Sequence, residues 1–144
     1  MTTVPFKCKI GTSNPAALLG LEVLLDKKSV YRSDHVTDLV DLTVDIVEDD
    51  AEHQLTFCLF GKTPEHTEVD DQGNIVKDSV LTITDITLDD IDINHLFTEH
   101  AVYTHDFNGS QEEIKDKFYG AAGCNGSITI TVSTPVYIWL LENL

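Results

Sequence analysis

Between Val40 and Ile46 apolar and polar residues alternate without a break, with Val40, Leu42, Val44 and Ile46 on one side and Asp41, Thr43 and Asp45 on the other. Only an extended strand turns successive side chains to opposite faces, so the segment reads as a half-buried β-strand. Leu55 to Phe60 follows the same rule and is stopped by the turn chemistry of Gly61-Lys62-Thr63-Pro64. Ala101 to His105 and Ser127 to Ser133 alternate again, the latter burying Ile128, Ile130 and Val132. The apolar run around Leu21 to Leu25 is assigned to a strand as well.

The joints between these runs carry turn residues. Gly73 and Asn74 can take a positive φ at little cost and close a hairpin or loop between Thr67 and Ser79. Along Val80 to Leu88 the apolar phase changes between Ile83 and Ile86, which requires a bulge and places a bend near Asp85. Asp89-Asp90 then forms a tight turn or short break before Ile91, and the stretch reaching Leu96 and Phe97 is expected to be partly helical. Asp106 to Ser110 reads as a loop. Ser110 as a cap with Glu113 three residues on marks a short surface helix over residues 111–119. Pro135 to Leu141 closes the chain as an apolar segment that something must cover.

Seven to nine short strands joined by Gly, Asn and Asp turns specify an all-β antiparallel sandwich or jelly roll. At 144 residues the chain has the length of one domain, residues 1–144, with one core and no internal repeat or linker.

Charge narrows the function. Twenty-five acidic residues stand against nine basic ones, a formal net charge of -16. Such a surface repels phosphate backbones and anionic lipid, so nucleic acid is excluded as a natural partner. No apolar run reaches the length of a membrane span and the start lacks the pattern of a secretory signal, so membrane insertion and classical export are not expected. Cys8, Cys58 and Cys124 are odd in number and widely spaced. They fit neither a disulfide framework nor a CxxC metal site, and are read as reduced thiols.

Catalytic signatures are missing. There is no GxSxG, no glycine-rich phosphate loop and no HExxH, and His95, His100 and His105, five residues apart, alternate between faces of an extended chain. The expectation is a non-enzymatic protein. Acidic residues do cluster, and carboxylate oxygens are the ligands calcium prefers. Asp70-Asp71-Gln72-Gly73-Asn74 fails the EF-hand spacing, so Asp85, Asp89, Asp90 and Asp92, at the bend, are the calcium candidates. Tyr137, Trp139, Leu140 and Leu141 are the candidate partner interface, because a C-terminal apolar segment is hard to cover within one small domain.

Two resemblances complete the reading. The segments Asp85 to Ile93, Ala101 to His105, Gly123-Cys124-Asn125-Gly126 and Pro135 to Glu142, over about the last 65 residues, resemble small uncharacterised proteins of tailed phages that infect aquatic bacteria. The strand rhythm of residues 21–93 resembles the jelly roll of calcium-dependent carbohydrate-binding modules, whose usual calcium ligands have no match here residue by residue. The first implies a virion component made in a host cytoplasm, most plausibly a capsid decoration or cement protein held to other virion proteins as a homo-oligomer. The second implies a carbohydrate-binding module or tail adhesin that recognises host glycans with calcium.

Overall fold

The computed structural model describes residues 2–17, 19–62, 67–73, 75–105 and 112–144. Its strands are β1 (Thr3–Thr12), β2 (Gly20–Leu25), β3 (Lys28–Ser33), β4 (Val40–Val47), β5 (Glu52–Phe60), β6 (Thr67–Val69), β7 (Ile75–Asp78), β8 (Leu81–Leu88), β9 (Ile91–Asp92), β10 (Val102–His105), β11 (Ile114–Lys117), β12 (Ala121–Ala122) and β13 (Gly126–Ser133). Two short helices, α1 (Asn94–His100) and α2 (Val136–Asn143), complete the described secondary structure apart from one 3-10 turn at Pro15–Ala17.

Two antiparallel sheets form an all-β sandwich. The first runs β12-β8-β1-β4 with β9 paired to β8, the second runs β11-β10-β13-β5-β2-β3, and β6-β7 is a separate hairpin. Alternate residues of each strand point between the sheets. Phe6, Cys8, Ile10, Val44, Ile46, Ile83 and Leu88 from the first sheet meet Val23, Leu55, Phe57, Leu59, Ile130 and Val132 from the second. Aligned sheets of this kind interdigitate their inner side chains and send the outer ones to solvent. The open end is plugged from α1, where Phe97 lies with ring centroids 6.2 Å from Phe6, 6.0 Å from Phe57 and 5.8 Å from Phe118.

The local expectations meet a mixed outcome. Between Lys7 and Lys9 the β1–β8 register slips, and Asp85 at the slip has φ +51° while Ile83 and Ile86 on either side are both buried. The phase change is therefore a bulge. Asp89 and Asp90, at φ +52° and +62°, make the two-residue hairpin between β8 and β9, and Asp26 and Lys27, at +50° and +70°, make the one between β2 and β3. Positive φ at both central positions matches the right-handed twist of the flanking strands.

Three assignments need correction. The expected helix over 111–119 is absent: Ile114–Lys117 is an extended edge strand beside β10, while residue 111 and the loop 106–110 lie outside the described residues. Pairing to the free edge of β10 outweighs a local capping pattern. The closing apolar segment is a helix, α2. Its first amide, Val136 N, donates to the Glu48 carboxylate at 3.1 Å, a capping partner 88 residues away in the chain. The strands at Thr3–Thr12 and Lys28–Ser33 and the short pairings at Ile91–Asp92, Ile114–Lys117 and Ala121–Ala122 were not anticipated, and the described strands number thirteen instead of seven to nine.

Candidate functional site

The outer face of the second sheet is built from the outward positions of β2, β5, β13, β10 and β11. Register fixes who stands beside whom. One row reads Glu22, Cys58, Ser127, Thr104 and Lys115, and the next reads Leu24, Thr56, Thr129, Val102 and Lys117. Gln54 and Thr131 are opposite each other one step further on.

Short hydroxyl side chains cannot fill the space above a sheet as Lys or Glu would, and the face holds two shallow cavities. One of about 490 Å³ is lined by Gln54, His100, Val102, Thr104, Lys115, Thr129 and Thr131. The other, of about 480 Å³, is lined by Cys58, Leu59, Thr104, His105, Asn125, Gly126 and Ser127, with one carboxylate, Glu113. Thr104 lines both. Gly126 lets β13 and β10 approach closely there, because a Cβ would lie 2.2 Å from the Thr104 carbonyl oxygen. The Thr56 and Thr129 hydroxyls are 3.1 Å apart and bond to one another across the middle of the face.

The face is also nearly free of acid. In a chain with 25 acidic residues, β13 and β10 carry none and β5 only Glu52 at its start. Glu22 sits at the far margin with Arg32, 3.7 Å away, whose guanidinium lies 4.6 Å from the Phe60 ring centroid. Phe60 in turn lies on Gly20, where a Cβ would come within 2.2 Å of the ring. Burial, and then the Glu22 charge, push the Cys58 thiol above its ordinary pKa. Among the described residues, no hydroxyl or thiol of this face is hydrogen-bonded to a histidine or carboxylate, the arrangement a nucleophile needs.

The residues expected to bind calcium are placed otherwise. Asp85 faces Lys9 at 3.8 Å from the bulge, and Asp90 faces Lys7 at 3.4 Å from the hairpin. Asp92 accepts from the Asn94 amide at 2.9 Å and its side-chain nitrogen at 2.8 Å, which starts α1. Asp89 spends its special backbone conformation on the same turn. The four do not converge, and among the described residues no group of three or more His, Cys, Asp or Glu side chains could hold a metal ion. The candidate interface divides: Trp139 and Leu140 are buried in the core, whereas Tyr137 and Leu141 are 62% and 77% exposed on the opposite side of α2.

Sequence reasoning missed one polar cluster, at the end of the sandwich where β5 begins and β13 ends. His53 is 8% exposed, and its Nδ1–H donates to Asp26 at 2.5 Å while its Nε2–H donates to Asp49 at 2.8 Å. Because carboxylates only accept, both bonds are complete when the ring is protonated. The Asp26 hydrogen bond leads in raising the His53 pKa, against partial desolvation, and Asp49 adds to it. Asp26 is held below its ordinary value although desolvation opposes this, through His53 and the Gln54 amide. Asp49 is lowered by the His53 bond first, with the Ala51 amide and Thr134 hydroxyl helping. The cluster ties the β2–β3 and β4–β5 turns to the start of α2, so its role is structural. A His four residues after an acid was its only trace in the sequence.

No protein-family model and no curated protein sequence matches the chain. Two solved structures are similar. One is the selenomethionine form of vCBM60, reported for a circular permutation linking two families of calcium-dependent carbohydrate binding modules; it is 12% identical, with a TM-score of 0.47 over 88% of this chain and 89% of its own. The other is vCBM60 in complex with galactobiose, 12% identical, with a TM-score of 0.45 over 89% of this chain and 99% of its own. Overlap this loose carries no residue of their sites onto this chain.

Proposed function

We propose that the chain is a non-enzymatic binding module that receives a glycan on the outer face of its second sheet. The observation that carries this is the trough of Gln54, Thr56, Thr104, Ser127, Thr129 and Thr131, whose central strands β10 and β13 carry no carboxylate in a chain of net charge -16, with Glu22 and Glu113 at its margins. A sugar presents hydroxyls in every direction, and each needs a donor or acceptor to replace water. Threonine, serine and glutamine supply both, and Lys115 and Lys117 at the rim add donors. Exposed apolar patches or long charged side chains would favour other ligands.

Weak binding follows from the same residues. Exchanging water hydrogen bonds for protein ones yields little net energy, and among the described residues no Phe, Tyr or Trp lines the trough. A dissociation constant on the order of 1 mM is expected for a single site. The acidic residues nearest the bulge and turn do not converge, so this reading places no cation on Asp85, Asp89, Asp90 and Asp92. Calorimetry on a panel of neutral and acidic oligosaccharides tests this. Binding should survive EDTA and fall at least about tenfold when Thr129→Val and Thr131→Val remove two hydroxyls at constant shape. Silence across the panel from folded protein would sink the reading, and loss of binding in EDTA would sink its cation-free form.

A second reading, a virion component such as a capsid decoration protein, is favoured by one feature. Tyr137, Ile138, Leu141 and Leu144 form an exposed apolar row on α2. It requires a closed homo-oligomer or binding to assembled shells. Light scattering that finds a monomer at all concentrations, together with no binding to shells, would remove it.

A further inference from the structure

Every sheet edge presents unpaired N–H and C=O groups, and proteins blunt such edges with short strands, bulges, lysine or proline. Four edges here are treated in that way. β12 and β9 are two residues long, β11 is four residues with Lys115 and Lys117, and β3 carries Lys28 and Arg32 and slips register against β2 between Val23 and Leu24. Of the edges of the two large sheets, β4 is the one guarded by acidic charge alone, from Asp41 and Asp45. Its eight residues include no lysine, arginine or proline, and they pair with β1 without a slip from Thr3↔Val47 to Ile10↔Val40.

The direction of its free groups follows from two bonds. Asp89 N donates to Pro5 O at 2.9 Å, so Pro5 turns its carbonyl toward β8, and Phe6 turns its own groups toward β4. Glu48 N donates to Thr2 O at 2.9 Å in the same phase. Leu42, Val44 and Ile46 therefore bond to β1, and the N–H and C=O groups of Asp41, Thr43, Asp45 and Val47 face outward. Among the described residues no backbone hydrogen bond reaches them. Asp41, Thr43 and Asp45 are exposed.

We infer that β4 is a docking edge that accepts an extended segment of another protein in which apolar residues alternate with lysine or arginine. A second copy of this chain is disfavoured. Antiparallel pairing of two β4 strands about Thr43 sets Asp41 opposite Asp45 on both sides, and registers shifted by two residues leave these carboxylates as diagonal neighbours, where like charges destabilise. A basic, alternating strand meets the opposite condition. Its cations face Asp41 and Asp45, and main-chain bonds supply the affinity, as in other strand additions. β1 already shows that pattern on the inner side of β4, with Lys9 and Lys7 opposite Asp41 and Thr43, and Cys8, Phe6 and Val4 opposite Leu42, Val44 and Ile46.

The test is amide hydrogen exchange by NMR on the full chain with the peptide Thr-Val-Lys-Val-Thr-Val-Lys-Val-Thr. In free protein the amides of Asp41, Thr43, Asp45 and Val47 should exchange freely, and the peptide should slow them at least about tenfold. A peptide with Glu for Lys should not, and raising the salt should weaken the effect. Thr43→Pro deletes one outward N–H and no bond to β1, so it should abolish the protection while Leu42, Val44 and Ile46 stay protected. Should that variant fail to fold, Asp41→Asn with Asp45→Asn keeps the backbone and should still lose most of the effect. Protection of the outward amides without peptide, protection that grows with protein concentration alone, or equal protection by the Glu peptide would each overturn the inference.

Discussion

His53 shows how one side chain can hold three chain segments at once. Its imidazolium is formed only while the proton stays, and the raised pKa means that folding binds that proton more tightly than the unfolded chain does. The contribution is fully present below the ordinary imidazole value of 6.5 and disappears as pH rises through the raised one. Asp26 and Asp49 behave oppositely, adding stability above the ordinary 3.8 that is lost as pH falls through their lowered values. Stability from this clamp should therefore be greatest between these limits. Thermal melts from acid to mildly alkaline pH should show His53→Gln flattening the alkaline decline; an unchanged decline would deny the clamp. Cys58 offers a second residue-level check. In a Cys124→Ser background, with Cys8 buried and its thiol pushed up to about 12, Cys58 is the thiol that alkylates, slowly at neutral pH. A bound oligosaccharide should slow it further.

Among the elements, α1 matters most to the core because it closes the open end of the sandwich. Phe97 touches rings from both sheets, and Phe97→Ala should cost about 3–5 kcal/mol in denaturant unfolding. A loss well under this range would mean that the cavity collapses and that α1 is a cover, with no packing role. Element type was legible where period and turn residues agreed, as in β4, β5, β13 and the Asp85 bulge. β1 escaped because Pro5, Lys7 and Lys9 mask the buried Val4, Phe6, Cys8 and Ile10. Proline is tolerated there since its nitrogen needs no partner in that position. The apolar run of α2 has no sequence period that separates helix from strand, and its cap, Glu48, is distant in sequence. Over residues 111–119 a local cap signal lost to the edge of β10.

The whole molecule places its charge unevenly. Many of its acidic residues sit at turns and junctions: Asp26 in one hairpin, Asp89 and Asp90 in another, Glu48 and Asp49 at the junction with α2. Backbone conformation and capping account for their place in these turns. The candidate trough was illegible in the sequence. Its residues come from β5, β10 and β13, each unremarkable alone, and only strand order and register bring Gln54, Thr104, Ser127 and Thr129 to one face. The central claim is that this hydroxyl-lined face, with acid only at its margins, binds a glycan. Chemical-shift mapping of the full chain during titration with oligosaccharides tests it most directly. Saturable shifts confined to Gln54, Thr56, Thr104, Ser127, Thr129 and Thr131, unchanged by EDTA and lost in Thr129→Val with Thr131→Val, are predicted. No shifts, or shifts centred on Asp85 to Asp92, would contradict it.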